Sequence, residues 1–445
     1  MELAGKRVIV VGLGKSGVAA AKLCLAKGAR VTGTDSAPAE KLSAEARALG
    51  VELVLGGHAA VDFKGAHLIV VSPGVPDFPA LTAAELSGVE VVGELELATR
   101  FIDAPIVAIG GTNGKSTTTT LVGDMFAAGG LNTFVGGNLG TPTAEAVGGN
   151  FDVVVLEVSS FQMERAPSFQ PRVSVLLNIT EDHLDRYPSF LAYAEAKGNA
   201  FANQSPDDFA IVPEGDNDCY AQAKRGRAQI VRFGKFGEYV VAGRTVSESR
   251  TGELFDLESS ALHGRHNIEN AAAAIAATRA LDLSAGAIRK ALLAFRPLAH
   301  RMARVASVRG VNFYDDSKGT NVGAAVTAVR GLSETRGVLI AGGRDKQGSY
   351  EPLVSALEEK GRAVVVIGEA AERIATAVGS RVPLLRAESM DDAVNQAFSR
   401  ALPGDAVLLS PACSSFDMFK SYADRGDRFV AAVERLAASQ PETPA

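Results

Sequence analysis

Residues 105–117 read Pro105-Ile106-Val107-Ala108-Ile109-Gly110-Gly111-Thr112-Asn113-Gly114-Lys115-Ser116-Thr117. An apolar, β-rich run passes into a glycine turn, and a helix is expected from about Lys115. A triphosphate needs closely spaced backbone N–H donors, a helix N-terminus and an ammonium group, and this stretch offers all three. Glycine lets the backbone approach phosphate oxygens directly. Ser116 or Thr117 can present a hydroxyl to Mg²⁺. A plain turn with a polar helix cap would use similar residues, but the lysine after the last glycine favours a phosphate site. The general P-loop pattern would place a glycine at Ile109, so this loop is one residue shorter than that motif.

Upstream, Arg7–Val11 is a strand candidate, followed by Gly12-Leu13-Gly14-Lys15-Ser16-Gly17 and an alanine-rich helical stretch. A second run, Ala29 to Thr34, ends in Asp35. This is a β-α-β unit with the spacing of a dinucleotide-binding fingerprint. By itself it would suggest an NAD(P)-dependent oxidoreductase. The motif only brings a diphosphate to a helix N-terminus, however, and other ligands carry a diphosphate and a ribose. Further strand candidates are Val51–Leu55, His67–Val71 and Val89–Val92. Alternating strands and helices predict a parallel sheet covered on both faces, in a domain spanning residues 1–103.

Downstream, strands are expected at Phe151–Leu156 and Val173–Asn178, and a helix at Tyr187–Ala202. Residues 207–262 read as short strands and turns, a small antiparallel subsheet. Helices are expected after Asn267 and from Ala285 to about Phe295. These complete a central domain, 104–297. A third domain, 298–445, has strand candidates Val311–Tyr314, Gly337–Ile340, Ala363–Ile367 and Ala406–Leu409, a last helix Ser421–Ala437 and a frayed tail, SQPETPA. The expected class is therefore α/β, with a Rossmann-like N-terminal domain, a central P-loop ATPase domain with a mostly parallel sheet, and a Rossmann-like C-terminal domain.

The 445 residues are 47% hydrophobic and 22% charged, with a formal charge of −6. That composition suits a soluble globular protein and argues against nucleic-acid or membrane-surface binding. Cys24, Cys219 and Cys413 are odd in number and lack metal-ligand spacing, as expected of free thiols in a reducing compartment. The first residues read as a strand and turn, not as a leader. The expectation is a cytoplasmic protein.

Other landmarks follow in order: Glu157 in Leu156-Glu157-Val158-Ser159-Ser160-Phe161-Gln162; His183 in Asp182-His183-Leu184-Asp185-Arg186-Tyr187-Pro188; Lys197; His266-Asn267 and Asn270; His300-Arg301; and Asp316-Ser317-Lys318-Gly319-Thr320-Asn321. With the short loop Gly111-Thr112-Asn113-Gly114-Lys115-Ser116, the chain resembles the Mur ligase and folylpolyglutamate synthase superfamily over essentially its whole length. Within it, the chain looks most like the branch that adds D-glutamate to UDP-N-acetylmuramoyl-L-alanine. That likeness rests on 156–162, 182–189, 314–324 and Leu409-Ser410-Pro411-Ala412-Cys413-Ser414-Ser415-Phe416. The Asp-Asn-Pro-Arg motif of the diaminopimelate- and lysine-adding relatives is missing.

The resemblance implies that ATP phosphorylates a substrate carboxylate, and that an amine attacks the acyl phosphate to give amide, ADP and phosphate. Such phosphoryl transfer depends on positioning and charge neutralisation. Lys115 would bridge the β- and γ-phosphates within the loop Gly111–Thr117. Ser116 and Glu157 would serve one Mg²⁺, and a carboxylate at a strand's C-terminal end suits that role. His183, beside Asp182 and Asp185, would help hold a second Mg²⁺. Lys197 reads by itself as a surface lysine. The resemblance implies that it carries a CO₂-derived carbamate and becomes an anionic metal ligand, which requires a partly neutral amine.

Asn267 and Asn270 could cap a helix; the resemblance assigns Asn270 to the adenine or ribose region and Asp316 to the nucleotide side, with Arg301 approaching the phosphates. Lys318 and Thr320 would face the incoming amino acid or the reaction centre, and Lys346, Ser414, Ser415 and Phe416 would line the D-glutamate pocket with Thr320. Carboxylates call for cationic and hydroxyl donors. UDP-N-acetylmuramoyl-L-alanine would meet Gly14, Lys15, Ser16, Asp35, Ser36, Ser72, Pro73, Gly74, Asn138 and Ser159. The expected partners are these small molecules alone, with no nucleic acid or membrane, and a monomer. Another amino-acid ligase of the superfamily, the oxidoreductase and a non-catalytic nucleotide-binding module are the alternatives.

Overall fold

The computed structural model describes residues 1–262 and 264–440. Three sheets carry the fold. The first contains β1 (Arg7–Val11), β2 (Arg30–Asp35), β3 (Glu52–Leu55), β4 (Leu68–Val71) and β5 (Glu90–Gly93), all parallel, in the order β3-β2-β1-β4-β5. Alternate residues of β1 and β4 feed separate cores. Val8, Val10, Leu68 and Val70 pack with the helix Lys15–Ala26. Ile9, Val11, Ile69 and Val71 pack on the other face. This is why these strands read as unbroken apolar runs. Strand order reverses between β1 and β4, and the crevice at their carboxyl ends is the usual place for a ligand.

The second sheet contains β6 (Ile106–Gly110), β7 (Thr133–Gly137), β8 (Val153–Glu157), β9 (Val173–Leu176), β10 (Phe209–Pro213), β11 (Gln229–Gly234), β12 (Tyr239–Ala242), β13 (Thr245–Glu248) and β14 (Leu254–Asp256). Its order is β14-β13-β12-β11-β10-β9-β6-β8-β7. The expected separate antiparallel subsheet is corrected here. β10, β11 and β12 extend the parallel sheet, and only the β12–β13 and β13–β14 pairs are antiparallel. Ala210, Ile211 and Val212 are all buried, the mark of a strand covered on both faces. β7, with two glycines in five residues, gave no strand signal.

The third sheet contains β15 (Ala303–Val308), β16 (Val311–Asp315), β17 (Gly337–Gly342), β18 (Gly361–Ile367), β19 (Leu384–Arg386) and β20 (Ala406–Leu409), in the order β15-β16-β20-β17-β18-β19. β15 is antiparallel to β16; the other pairs are parallel. The two edge strands, β15 and β19, were not anticipated: one is mostly half-exposed and the other has three residues. The last helix is Tyr422–Ser439, with Ser421 as its N-cap accepting from Asp424 N. It therefore takes in Ser439 from the expected frayed tail; residues 441–445 of that tail lie outside the described residues.

The chain forms two compact units. One gathers Met1–Ile179, Ala194–Ser260 and Asn267–Phe295, and so holds the first two sheets; the other gathers Thr180–Tyr193, Ala261–His266 and the chain from Arg296 onward. Within the first unit the two sheets are tied together after β5. Gly93 N donates to Arg165 O at 2.8 Å. The buried Glu94 accepts from Ala144 N at 2.6 Å, and the buried Glu96 accepts from Ser168 N and Oγ. Among the described residues no helix is long and apolar enough to cross a membrane.

Candidate active site

β6 delivers the chain to Gly111 (φ 139°) and Gly114 (φ 87°), and Gly114 caps the helix Lys115–Ala128. Both angles lie where side chains are rarely tolerated. A Cβ on Gly114 would also collide with Asn270 Oδ1. Asn178, just after β9, pins the loop: its Oδ1 accepts from Asn113 N at 2.9 Å, its Nδ2 donates to Asn113 O at 3.1 Å, and its carbonyl accepts from Thr112 N at 3.0 Å. Nothing in the sequence singled Asn178 out, since an asparagine after a strand has no spacing signature.

Two ammonium groups converge on this loop. Lys115 Nζ donates to Gly111 O and Thr112 O, both at 2.9 Å. Lys197 is buried at 5% exposure, and its Nζ donates to the same Gly111 O at 2.9 Å. The surface-lysine reading of Lys197 is therefore excluded. Two like charges on one carbonyl repel each other, and an anion placed between them would relieve that repulsion.

Glu157 ends β8 at 3% exposure, and Ser116 is equally enclosed. Asn138 holds Glu157 twice, donating from Nδ2 to Oε1 at 2.6 Å and from its backbone N to the Glu157 carbonyl at 2.8 Å. Ser159 caps the short helix Ser160–Met163 in a capping box with Gln162. The helix Arg265–Arg279 starts before Asn267 and Asn270, so neither asparagine is its N-cap. Asn270 instead lies over Gly114, with Nδ2 donating to Asn267 Oδ1 at 3.4 Å.

At the carboxyl ends of β1 and β4, Gly12 (φ 82°) donates to Thr34 O at 2.8 Å, and its carbonyl accepts from Ser72 Oγ at 2.7 Å. A Cβ on Gly17 would collide with Gly12 O. The Asp35 carboxylate accepts from Leu13 N at 2.7 Å and Ala37 N at 2.8 Å, so it braces the glycine turn. Gly14 caps the helix that contains Lys15 and Ser16; Ser36 follows β2, and Pro73 and Gly74 follow β4. A cavity of about 550 Å³ lies between Lys15, Lys22 and Glu45 on one side and Thr141, Pro142 and Glu145 on the other.

In the second unit, three loops meet at the carboxyl ends of β16, β17 and β20. Arg344 and Ser414 exchange backbone bonds of 2.8 and 3.2 Å. Ala412 N donates to Gly319 O at 3.0 Å. The buried Asp316 accepts from Ser410 Oγ at 2.7 Å and Met302 N at 3.3 Å. Burial pushes its carboxyl up to about 7, against those hydrogen bonds and the nearby Arg301 charge. Arg301 Nε is buried without a hydrogen bond. Lys318 places its ammonium 5.0 Å from the centroid of the Tyr422 ring, and Thr320 N donates to Lys318 O at 2.9 Å.

Lys346 Nζ donates to Asp182 Oδ1 at 3.0 Å, and Asn321 Nδ2 donates to Asp182 Oδ2 at 3.1 Å. His183 Nε2 stands 3.7 Å from Asp182 Oδ2. Burial acts to raise the Asp182 carboxyl, but the charges of Lys346 and His183 and the bonds from Lys346 and Asn321 hold it below the usual range. Ser415 is buried, and the Phe416 side chain next to it is exposed at 68%.

Among the described residues no three His, Cys, Asp or Glu side chains cluster as a metal site. Of the expected metal ligands, Ser116, Glu157 and Lys197 belong to the first unit and His183 to the second. The Ser116 hydroxyl and Glu157 carboxylate are hard oxygen donors of the kind Mg²⁺ prefers.

Three family models match the chain: the Mur ligase MurD-like N-terminal domain over residues 6–93, the Mur ligase middle domain over 109–278, and the Mur ligase glutamate ligase domain over 300–413. A UDP-N-acetylmuramoylalanine--D-glutamate ligase from Trichlorobacter lovleyi is 45% identical over 452 residues, covering 98% of this chain and 100% of that protein. The enzyme of the same description from Geobacter metallireducens is 45% identical, covering 99% and 100%. Among solved structures, the MurF ligase of Thermotoga maritima in complex with ADP superposes with a TM-score of 0.63 at 17% identity, over 99% of this chain and 97% of that one. That likeness is one of fold.

Proposed function

The chain belongs to the Mur ligase family, in its D-glutamate-adding branch, and from that premise we propose that it couples D-glutamate to UDP-N-acetylmuramoyl-L-alanine at the expense of ATP. The product is a peptidoglycan precursor, which links the reaction to cell-wall growth, cell shape and division. The observation that supports this most strongly is the convergence of Lys115 and Lys197 on the glycine loop, a place built for a polyphosphate.

In this reading the terminal phosphoryl group of ATP passes to a carboxylate oxygen of the alanyl substrate. The D-glutamate amine then attacks the carbonyl carbon of the acyl phosphate. The C–O bond to phosphate breaks, and amide, ADP and phosphate result. The loop N–H groups and Lys115 hold the β- and γ-phosphates, with Lys115 leaving its two loop carbonyls to do so. Asn267, Asn270 and Asp316 serve the nucleotide side, and Arg301 approaches the phosphates. Mg²⁺, when bound, would neutralise phosphate charge, with Ser116 and Glu157 holding one ion and His183 and Lys197 a second.

Lys197 would act there as a carbamate. The ammonium first loses one proton; the neutral amine nitrogen then bonds the carbon of CO₂ and a second proton leaves, which exchanges the second loop cation for an anion. Electron density extending beyond Nζ in an unacidified crystal is the expected sign, and a bare, well-ordered amine would remove this part of the reading.

UDP would lie on the first sheet's crevice, by Gly14, Lys15, Ser16, Asp35, Ser36 and Ser72–Gly74, with Asn138 reaching the substrate from β7. Lys318, Thr320, Lys346, Ser414, Ser415 and Phe416 would take the amino acid, the cations and hydroxyls meeting its carboxylates. Lys346 would then exchange Asp182 for a D-glutamate carboxylate. We place the enzyme in the cytoplasm as a monomer. The deciding assay is an amino-acid panel with ATP and UDP-N-acetylmuramoyl-L-alanine, products read by mass. D-Glutamate should be the preferred acceptor; preference for another amino acid would move the chain to a different ligase activity.

A further inference from the structure

Arg425 has no part in the reaction as described, yet it is the largest side chain in the fully buried core, at 1% exposure. It projects from the helix Tyr422–Ser439. Its Nε donates to Ser317 Oγ at 3.0 Å, its Nη2 to Ser317 O at 2.8 Å, and its Nη1 to Cys413 O at 3.2 Å. Ser317 Oγ in turn donates to Tyr422 O at 2.7 Å. One guanidinium thus joins the loop after β16, which carries Lys318 and Thr320, to the loop after β20, which carries Ser414 and Ser415.

A buried cation is costly, and here burial draws the guanidinium down to about 10. A core that needed only volume would hold an apolar side chain more stably. What the guanidinium adds is direction: a planar fork with donors at fixed angles, which a lysine cannot reproduce. The surroundings are fitted to it. A Cβ on Gly343 would collide with Ser414 O and stand 3.2 Å from Arg425 Nη1. A Cβ on Gly426 would collide with the His300 ring, and His300 O accepts from Lys318 N at 3.1 Å.

We infer that Arg425 is a positioning residue that sets the spacing between Lys318–Thr320 and Ser414–Ser415, and so fixes how tightly the acidic amino acid is held. The inference rests on the proposed function, which gives those two loops to the amino acid. The test is steady-state kinetics of Arg425→Lys and Ser317→Ala, with melting curves for each. Ser317→Ala removes only the hydroxyl that Nε reaches, so it remains informative if Arg425→Lys does not fold. Both should raise KM for D-glutamate, Arg425→Lys by about tenfold or more, while KM for ATP and for the UDP substrate stay within about twofold. An unchanged KM for D-glutamate in the folded variants, or an equal rise in all three constants, would overturn the inference. Failure of the unsubstituted protein to use D-glutamate would instead overturn the reading beneath it.

Discussion

Lys115 donates to two carbonyls of its own loop, and Lys197 shares one of them. The pair marks where negative charge is wanted, and Lys115 is the residue whose loss should matter most to chemistry and least to folding. Lys115→Ala is expected to lower kcat/KM for coupling by about 10²–10³-fold with a nearly unchanged melting temperature. Comparing coupled phosphate release with the melting curve checks both halves. Lys115 and Glu157 were legible because glycine spacing and a strand end announce them, and Lys197 because it sits in a familiar order of landmarks. Asn178 and Arg425 were not. One is an asparagine 65 residues from its partner Asn113, and the other an arginine 108 residues from Ser317. An arginine within an amphipathic helix reads as a solvated charge until the fold shows that it is buried.

Among the elements, the glycine turn after β1 has little tolerance. Gly17→Ala would drive a methyl group into Gly12 O, and overpacking of that kind costs about 1–3 kcal/mol. Denaturant unfolding should show the loss, together with weaker binding of the UDP substrate. The link between the first two sheets carries a pH signature. Burial pushes the Glu94 carboxyl up to about 7, with Glu145 adding to the rise and the Ala144 and Thr143 N–H groups opposing it.

The folded state therefore keeps this proton to a higher pH than the unfolded state. The group's contribution to stability is greatest below about pH 4.5, declines as pH rises to about 7 and is level above that. The stability of the unsubstituted protein relative to Glu94→Gln should fall between about pH 5 and pH 8 in urea titrations; parallel curves would remove Glu94 as the cause. Strands buried on both faces, such as β1, β4 and β20, were plain from their apolar runs. β7, β15 and β19 were hidden because glycine-rich or half-exposed edge strands lack that run. β10 and β11 were misread because periodicity alone does not tell which strand pairs with which.

At the scale of the whole molecule, the candidate groups divide between two compact units: Lys115, Glu157 and Lys197 in one, Lys318 and Lys346 in the other. What unites them is a single chemical claim, that a carboxylate is activated by phosphoryl transfer before the amine attacks. Oxygen tracing tests it directly. The alanyl carboxylate of the UDP substrate is labelled with ¹⁸O in both oxygens, and the reaction is run with ATP and D-glutamate. An acyl phosphate requires one labelled oxygen to leave with inorganic phosphate for every amide formed. Unlabelled phosphate, with label in AMP or in neither product, would contradict the account.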